Sequence, residues 1–257
     1  MEMLEIPDYC YNNMEFYGQI SFMKSGLMYA DAVSTVSKTY AEEIKTFQYG
    51  YGLDGIMRLR QDRLFGILNG IDYEKNNPKT DKRIAVNYDI SSIEKKKFNK
   101  TELQKQLGLE IRDVPMVGII SRLAEQKGLD LVAWVAEEML NRDVQFVLLG
   151  TGEKRLEDFF RSLENNHKGK VCSIIKFDDT LAQRIYASSD IFLMPSLFEP
   201  CGLGQMFALR YGTIPVVRKT GGLSDTVMHY NSETKEGNGF VFEHYTADGL
   251  MWALDEA

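Results

Sequence analysis

Two cations, Arg122 and Lys127, lie five residues apart in SRLAEQKG, directly after the apolar run VPMVGIIS (114–121). Fixed positive charge where a buried strand gives way to a helix N-terminus suits a diphosphate. A pair of ordinary surface cations would have the same spacing, and on spacing alone both readings stand. A lone carboxylate, Glu199, sits in SLFEPCGLGQ between an apolar run and a glycine turn. Pro200 fixes that turn, and Gly202, Leu203 and Gly204 can present backbone amides. A carboxylate beside such a nest can hold sugar hydroxyls while the amides hold phosphate, although a helix N-cap acid would look alike. Two further glycine turns, GTGEKRL (150–156) and KTGGLSDT (219–226), precede helical patterns and would let amides approach an anion. Neither matches a dinucleotide fingerprint or a P-loop, and glycine also simply makes tight strand-to-helix turns.

Other chemistries find less support. A glycosidase needs two carboxylates flanking a glycosidic oxygen. Asp178 and Asp179 are available, but FDDT ahead of LAQRI reads as a helix N-cap. The three histidines, His167, His229 and His244, have no metal-ligand spacing, and the three cysteines, Cys10, Cys172 and Cys201, form no C-x-x-C pair. An odd cysteine count without regular spacing points to reduced thiols and a cytoplasmic setting. A net charge of −7 argues against a nucleic acid partner, whose phosphate backbone needs a field of the opposite sign. No apolar run is long and charge-free enough to span a bilayer, so no membrane partner is expected.

The elements that must position these residues form a strict rotation. From Val114 onward continuous apolar runs (114–121, 144–150, 171–177, 191–196, 213–219, 239–243) alternate with amphipathic stretches (128–141, 154–165, 181–189, 202–212, 222–230, 247–257). Short buried strands with helical crossovers imply an α/β, doubly wound, Rossmann-like parallel sheet covered on both faces. In such a sheet ligands bind beyond the carboxyl ends of the strands, where all the loops named above fall. Residues 1–68 differ: a helix, a short apolar segment near Ala32–Val36, a second helix capped near Ser37, then a glycine-rich stretch. The basic run EKKKFNK reads as a solvated helix face or connector ahead of a helix TELQKQLGL that stops at Gly108. A domain boundary is expected near residues 70–75.

Taken together, ILNGIDYEKNNPKTD, SRLAEQKG, SLFEPCGLGQ and VRKTGGLSDTV, in this order and spacing, resemble bacterial glycogen synthases and plant starch synthases. The likeness covers nearly the whole chain. It implies a GT-B fold, with residues 1–72 as part of an acceptor-side domain and 73–257 as the donor-nucleotide domain. It also implies retaining transfer of glucose from ADP-glucose to an α-1,4-glucan such as glycogen, without a metal or other cofactor. Arg122 and Lys127 fall on the family's diphosphate-binding cations, and Glu199 on the carboxylate that contacts the donor glucose. The amides of Cys201, Gly202, Leu203 and Gly204 fall on the loop that cradles glucose and phosphate. Phe177 matches an aromatic that stacks on adenine, and Asn69 a donor-contacting position. Thr220, Gly221 and Gly222 match the donor domain's own glycine turn.

The chain also departs from that pattern. Gly204 stands where a Thr is usual, Asn76 replaces a Trp, and Phe207 occupies a position that is Glu in related retaining transferases. No K-x-G-G-L donor loop is found in the N-terminal part, where KSGL at Lys24 falls in a helical stretch, and the family's N-terminal histidine near the sugar is also missing. The expectation is an internal fragment of a longer enzyme, inactive alone, with weak binding of ADP or ADP-glucose. Two rivals are a GT-B transferase using UDP-glucose and a non-catalytic nucleotide- or glucan-binding module.

Overall fold

The computed structural model describes residues 7–257, which form two compact units, one ending at Asn69 and one running from Gly70 to Ala257. In the first, a hairpin pairs Glu15–Phe16 with Gln19–Ile20, and Tyr17 and Gly18 take the positive φ angles of its two-residue turn. Helix Phe22–Tyr29 follows, so Lys24 is helical, and its ammonium donates to the carbonyls of Asn12 and Glu15. Strand Val33–Thr35 leads into helix Lys38–Glu43, capped as the sequence predicts by Ser37, whose hydroxyl accepts from the Tyr40 amide at 2.9 Å. Leu64–Gly66 pairs in parallel with Val33–Thr35.

The second unit carries the sheet. Its elements are α1 (Lys96–Leu107), β1 (Met116–Ile120), α2 (Leu129–Leu140), β2 (Gln145–Leu149), α3 (Lys154–Asn166), β3 (Val171–Ile174) and α4 (Asp179–Ser188). They continue with β4 (Ile191–Met194), α5 (Gly204–Arg210), β5 (Ile214–Arg218), α6 (Gly221–Thr226), β6 (Phe240–Phe242) and α7 (Ala247–Glu256). The six strands are all parallel, in the order β3-β2-β1-β4-β5-β6. Alternate strand residues face opposite ways, as the pleat requires. Val117, Ile119, Phe146, Leu148, Ile191 and Leu193 pack with Leu129, Val132, Phe160 and Leu250 on one side. Met116, Val147, Leu149 and Cys172 pack with Leu103 and Ile185 on the other. Burial on both faces explains why these strands read as unbroken apolar runs.

Two sequence expectations are corrected here. The helix before Gly108 begins at Lys96, not Thr101, so EKKKFNK runs into it: Glu94, Lys95, Lys97 and Phe98 are exposed, as a solvated helix face requires, while Asn99 and Lys100 turn inward. Lys100 forms an ion pair with Asp190 at 2.6 Å, and Lys96 donates to the carbonyls of Tyr186 and Tyr211 and to the Thr213 hydroxyl. These lysines fasten α1 beneath β4 and β5. The helix after KTGG stops at Thr226, because Val227 turns extended to bury its side chain against Val217 and Leu223. Gly108 ends α1 in the left-handed conformation, as expected.

Candidate functional site

The strand order reverses between β1 and β4, which each continue to opposite edges of the sheet. Loops leaving the carboxyl ends of two such strands diverge and leave a crevice. The β1–α2 loop carries Arg122 and Lys127, and the β4–α5 loop carries Glu199. Their approach depends on Gly128. It is left-handed (φ 72°), and an added Cβ would lie 2.1 Å from the Pro195 carbonyl oxygen. At this contact Lys127 Nζ meets Glu199 Oε2 at 2.6 Å, and the Ser196 hydroxyl donates to the same oxygen at 3.2 Å. The two side chains retain only 18% and 7% of their exposure. Charges this buried are tolerated only when paired. One ammonium proton is committed to Glu199, which leaves Lys127 two donors for another anion.

Several backbone bonds fix the β4–α5 loop. The Leu197 amide donates to the Gln126 carbonyl at 3.0 Å, and the Gly222 amide donates to the Glu199 carbonyl at 3.0 Å. The Gly222 amide is therefore not available to an anion. An added Cβ there would lie 2.1 Å from the Cys201 carbonyl oxygen, so this glycine lets two loops touch. Gly150 and Gly152 behave alike, against Ser121 and Leu123. Thr220 and Gly221 are buried beside Gly222.

The nest itself is open. Gly202 is left-handed (φ 68°), and among the described residues the amides of Gly202, Leu203 and Gly204 have no hydrogen-bond acceptor. Cys201 is buried, with its thiol toward the Gly202 carbonyl. A Cβ at Gly204 would meet the Phe192 ring at 2.9 Å and the Met194 sulfur at 3.3 Å, so a threonine here would require repacking of β4. Gln205 was not singled out from the sequence. Its amide donates to the carbonyls of Cys201 and Gly202 and to the Thr226 hydroxyl, and so sets the loop's curvature.

Arg122 occupies the neighbouring cleft, about 260 Å³, floored by Ile120, Leu149 and Ala182 and edged by Gly150 and Phe177. Phe177 is 91% exposed, a flat apolar face offered to solvent at this cleft. The Arg122 guanidinium donates to Gln126 Oε1 at 3.0 Å, and Gln126 Nε2 reaches the Phe198 carbonyl at 3.5 Å. Gln126 thus joins the cleft to the Lys127–Glu199 pair. Asp178 caps α4 through the Leu181 amide at 2.9 Å, and the Lys176 ammonium and that amide hold its carboxyl below the usual range. Asp179 is paired with Arg83 at 2.9 Å, so both carboxylates have structural duties. Asn69 belongs to the first unit and is exposed there. Asn76 is buried, its amide donating to the Asp72 carbonyl and its own carbonyl accepting from Arg210. Among the described residues no cluster of metal-ligating side chains occurs, and no helix is long and apolar enough to cross a membrane.

Residues 1–59 match the family model described as the starch synthase catalytic domain, and residues 100–257 match that of the glycosyl transferases group 1. Glycogen synthase from Pseudothermotoga lettingae is 55% identical over 100% of this chain and 54% of its own length. Glycogen synthase from Kosmotoga olearia is 61% identical over 93% of this chain and 50% of its own. The chain spans about half the length of these curated relatives. Among solved structures, the catalytic domain of starch synthase IV from Arabidopsis thaliana, bound to ADP and acarbose, is 38% identical with a TM-score of 0.89, covering 95% of this chain and 51% of that one. The fold is accordingly of the GT-B type.

Proposed function

The chain belongs to the glycosyl transferases of group 1, and from that premise we propose that the unit Gly70–Ala257 is the donor-binding part of a glycogen synthase. The enzyme transfers glucose from ADP-glucose to the non-reducing end of an α-1,4-glucan. The observation that carries this reading is the buried Lys127–Glu199 pair at the point where the strand order reverses, beside an open amide nest. The likeness to glycogen synthases and to a starch synthase bound to ADP and acarbose supports it.

In this arrangement adenine lies on Phe177 in the cleft that also holds Arg122. The diphosphate takes the free donors of Arg122 and Lys127 and the amides of Gly202, Leu203 and Gly204. Glu199 Oε1 accepts from glucose hydroxyls. As the bond between the glucose anomeric carbon and phosphate breaks, negative charge grows on the departing ADP, where fixed cations and preoriented amides stabilise it most. The proposal gives this role to the two cations and no part of it to a metal or cofactor. Thr220, Gly221 and Gly222 support the Glu199 loop from behind.

Calorimetric titration of the chain with ADP and with UDP, repeated for Arg122→Ala, tests the reading. The expected result is a preference for ADP and a loss of about tenfold in the variant, the scale of a charge-assisted contact. Equal affinity for the two nucleotides would refute the adenine assignment. ADP binding that ignores Arg122→Ala would refute the phosphate site.

A further inference from the structure

Arg218 closes β5 and has no part in the chemistry described so far. Val217 pairs with Met194 of β4, so Arg218 stands next to the point where the β4–α5 loop leaves the sheet. Its Nη1 donates to the carbonyls of Ser196, at 3.3 Å, and Leu197. The guanidinium lies over the Tyr245 ring, 5.7 Å from its centroid, and the Tyr245 hydroxyl donates to Asp130 Oδ1 at 2.7 Å. Asp130 is in the first turn of α2, the helix that follows Lys127. A continuous chain of contacts therefore runs from the helix behind Lys127, through Tyr245 and Arg218, to the loop bearing Glu199.

We propose that Arg218 is a positioning residue for the donor sugar: it clamps the Ser196–Leu197 carbonyls so that Glu199 is presented at the glucose while Lys127 remains opposite it. The proposal rests on the donor-site reading above. The loop has no regular structure between Met194 and Gly204, so its conformation depends on such tethers. Other ties are the Leu197 amide on the Gln126 carbonyl, the Gly222 amide on the Glu199 carbonyl, and the Gln126 and Gln205 side-chain amides on the carbonyls of Phe198, Cys201 and Gly202. Arg218 brings a charged donor to the loop's backbone, and its Nη1 bridges the two successive carbonyls of Ser196 and Leu197. Burial against the Tyr245 ring holds the guanidinium in place before any ligand arrives.

The test compares ADP with ADP-glucose on the unsubstituted chain, Arg218→Ala and Arg218→Lys. Arg218 acts through Glu199 on the sugar alone. Arg218→Ala should therefore bind ADP within about twofold of the unsubstituted chain yet lose about tenfold for ADP-glucose. Arg218→Lys, which keeps the charge and one bond, should lose less. Equal losses for both ligands would make Arg218 a phosphate contact or a general folding residue and overturn the proposal, as would no loss at all. Amide hydrogen exchange, followed without ligand, separates this proposal from the donor-site reading. If the unsubstituted chain binds neither ligand, the donor-site reading fails, and the clamp is judged on exchange alone. Arg218→Ala should speed exchange at the Leu197 amide about tenfold while β1 and β2 amides stay unchanged. Unchanged Leu197 exchange would overturn the clamp.

Discussion

Replacing Lys127 with methionine probes the site without ligand. The side chain keeps its length and apolar stem but loses the charge that faces Glu199 at 2.6 Å. The carboxylate is then left with the Ser196 hydroxyl at 3.2 Å as its remaining side-chain partner, at 7% exposure. Removing one member of a buried pair costs about 3–5 kcal/mol, because the remaining charge is neither hydrated nor compensated. The residual Ser196 bond and the 18% exposure of Lys127 place the expected loss at the lower end, about 3 kcal/mol, a fall of about 6–12 °C in Tm. Glu199→Gln keeps an acceptor toward Lys127 and should cost about 1–2 kcal/mol. In the double variant no buried charge is stranded, so it should be less destabilised than the sum of the two singles by about 2 kcal/mol. Urea unfolding followed by circular dichroism, with m-values held constant, measures the cycle. A Lys127→Met loss below about 0.5 kcal/mol would refute the argument, since it would mean a pair screened like an exposed one.

Phe177→Ala should separate binding from stability. At 91% exposure the ring contributes little to the fold, so unfolding should shift by less than about 0.5 kcal/mol, whereas ADP affinity should fall about tenfold, the scale of stacking on a base. Unchanged ADP affinity would remove Phe177 from the site. A second prediction concerns Lys96, whose ammonium is pulled down to about 7 by burial, with Lys100 adding to the shift and Asp190 opposing it. Between pH 7 and 10.5 the unfolded chain then binds more protons at this residue than the folded one, so stability rises with pH across that window. Urea unfolding at pH 7 and pH 9 should show a gain of about 1–2 kcal/mol that disappears in Lys96→Met. An identical pH response in the variant would sink the assignment.

The sheet was legible because burial on both faces writes each strand as a continuous apolar run, from MVGII in β1 to FVF in β6. The turn at Gly108 and the caps at Ser37 and Asp178 were legible because each has one dominant local cause. Lys96 and Lys100 were misread because local charge density implies solvent, while their partners, Asp190, Tyr186 and Thr213, lie about ninety or more residues away in sequence. The same distance hid the site's framework. Arg122, Lys127 and Glu199 stand out by residue type, but that Gly222 spends its amide on the Glu199 carbonyl follows only from how α6 packs on the β4–α5 loop. Gln126 and Gln205 carried no signal of their own beyond adjacency to those residues.

The framework also explains why small residues and polar ties, and not apolar contacts, govern this part of the molecule. Apolar burial is nondirectional and would tolerate a shift of the Glu199 loop by a fraction of an ångström. A hydrogen-bonded carboxylate opposite an ammonium tolerates much less. The β4–α5 loop is accordingly held by directional bonds from three other segments: Gln126 before α2, Arg218 at the end of β5 and Gly222 in α6. Gly128 and Gly222 let those segments come within backbone contact of it. Gln126 follows β1, whereas Arg218 and Gly222 lie at and just after the end of β5, so displacing either strand end moves Glu199 relative to Lys127. The pair's short, buried contact is fixed by the protein's own bonds, so binding energy need not be spent on ordering the loop.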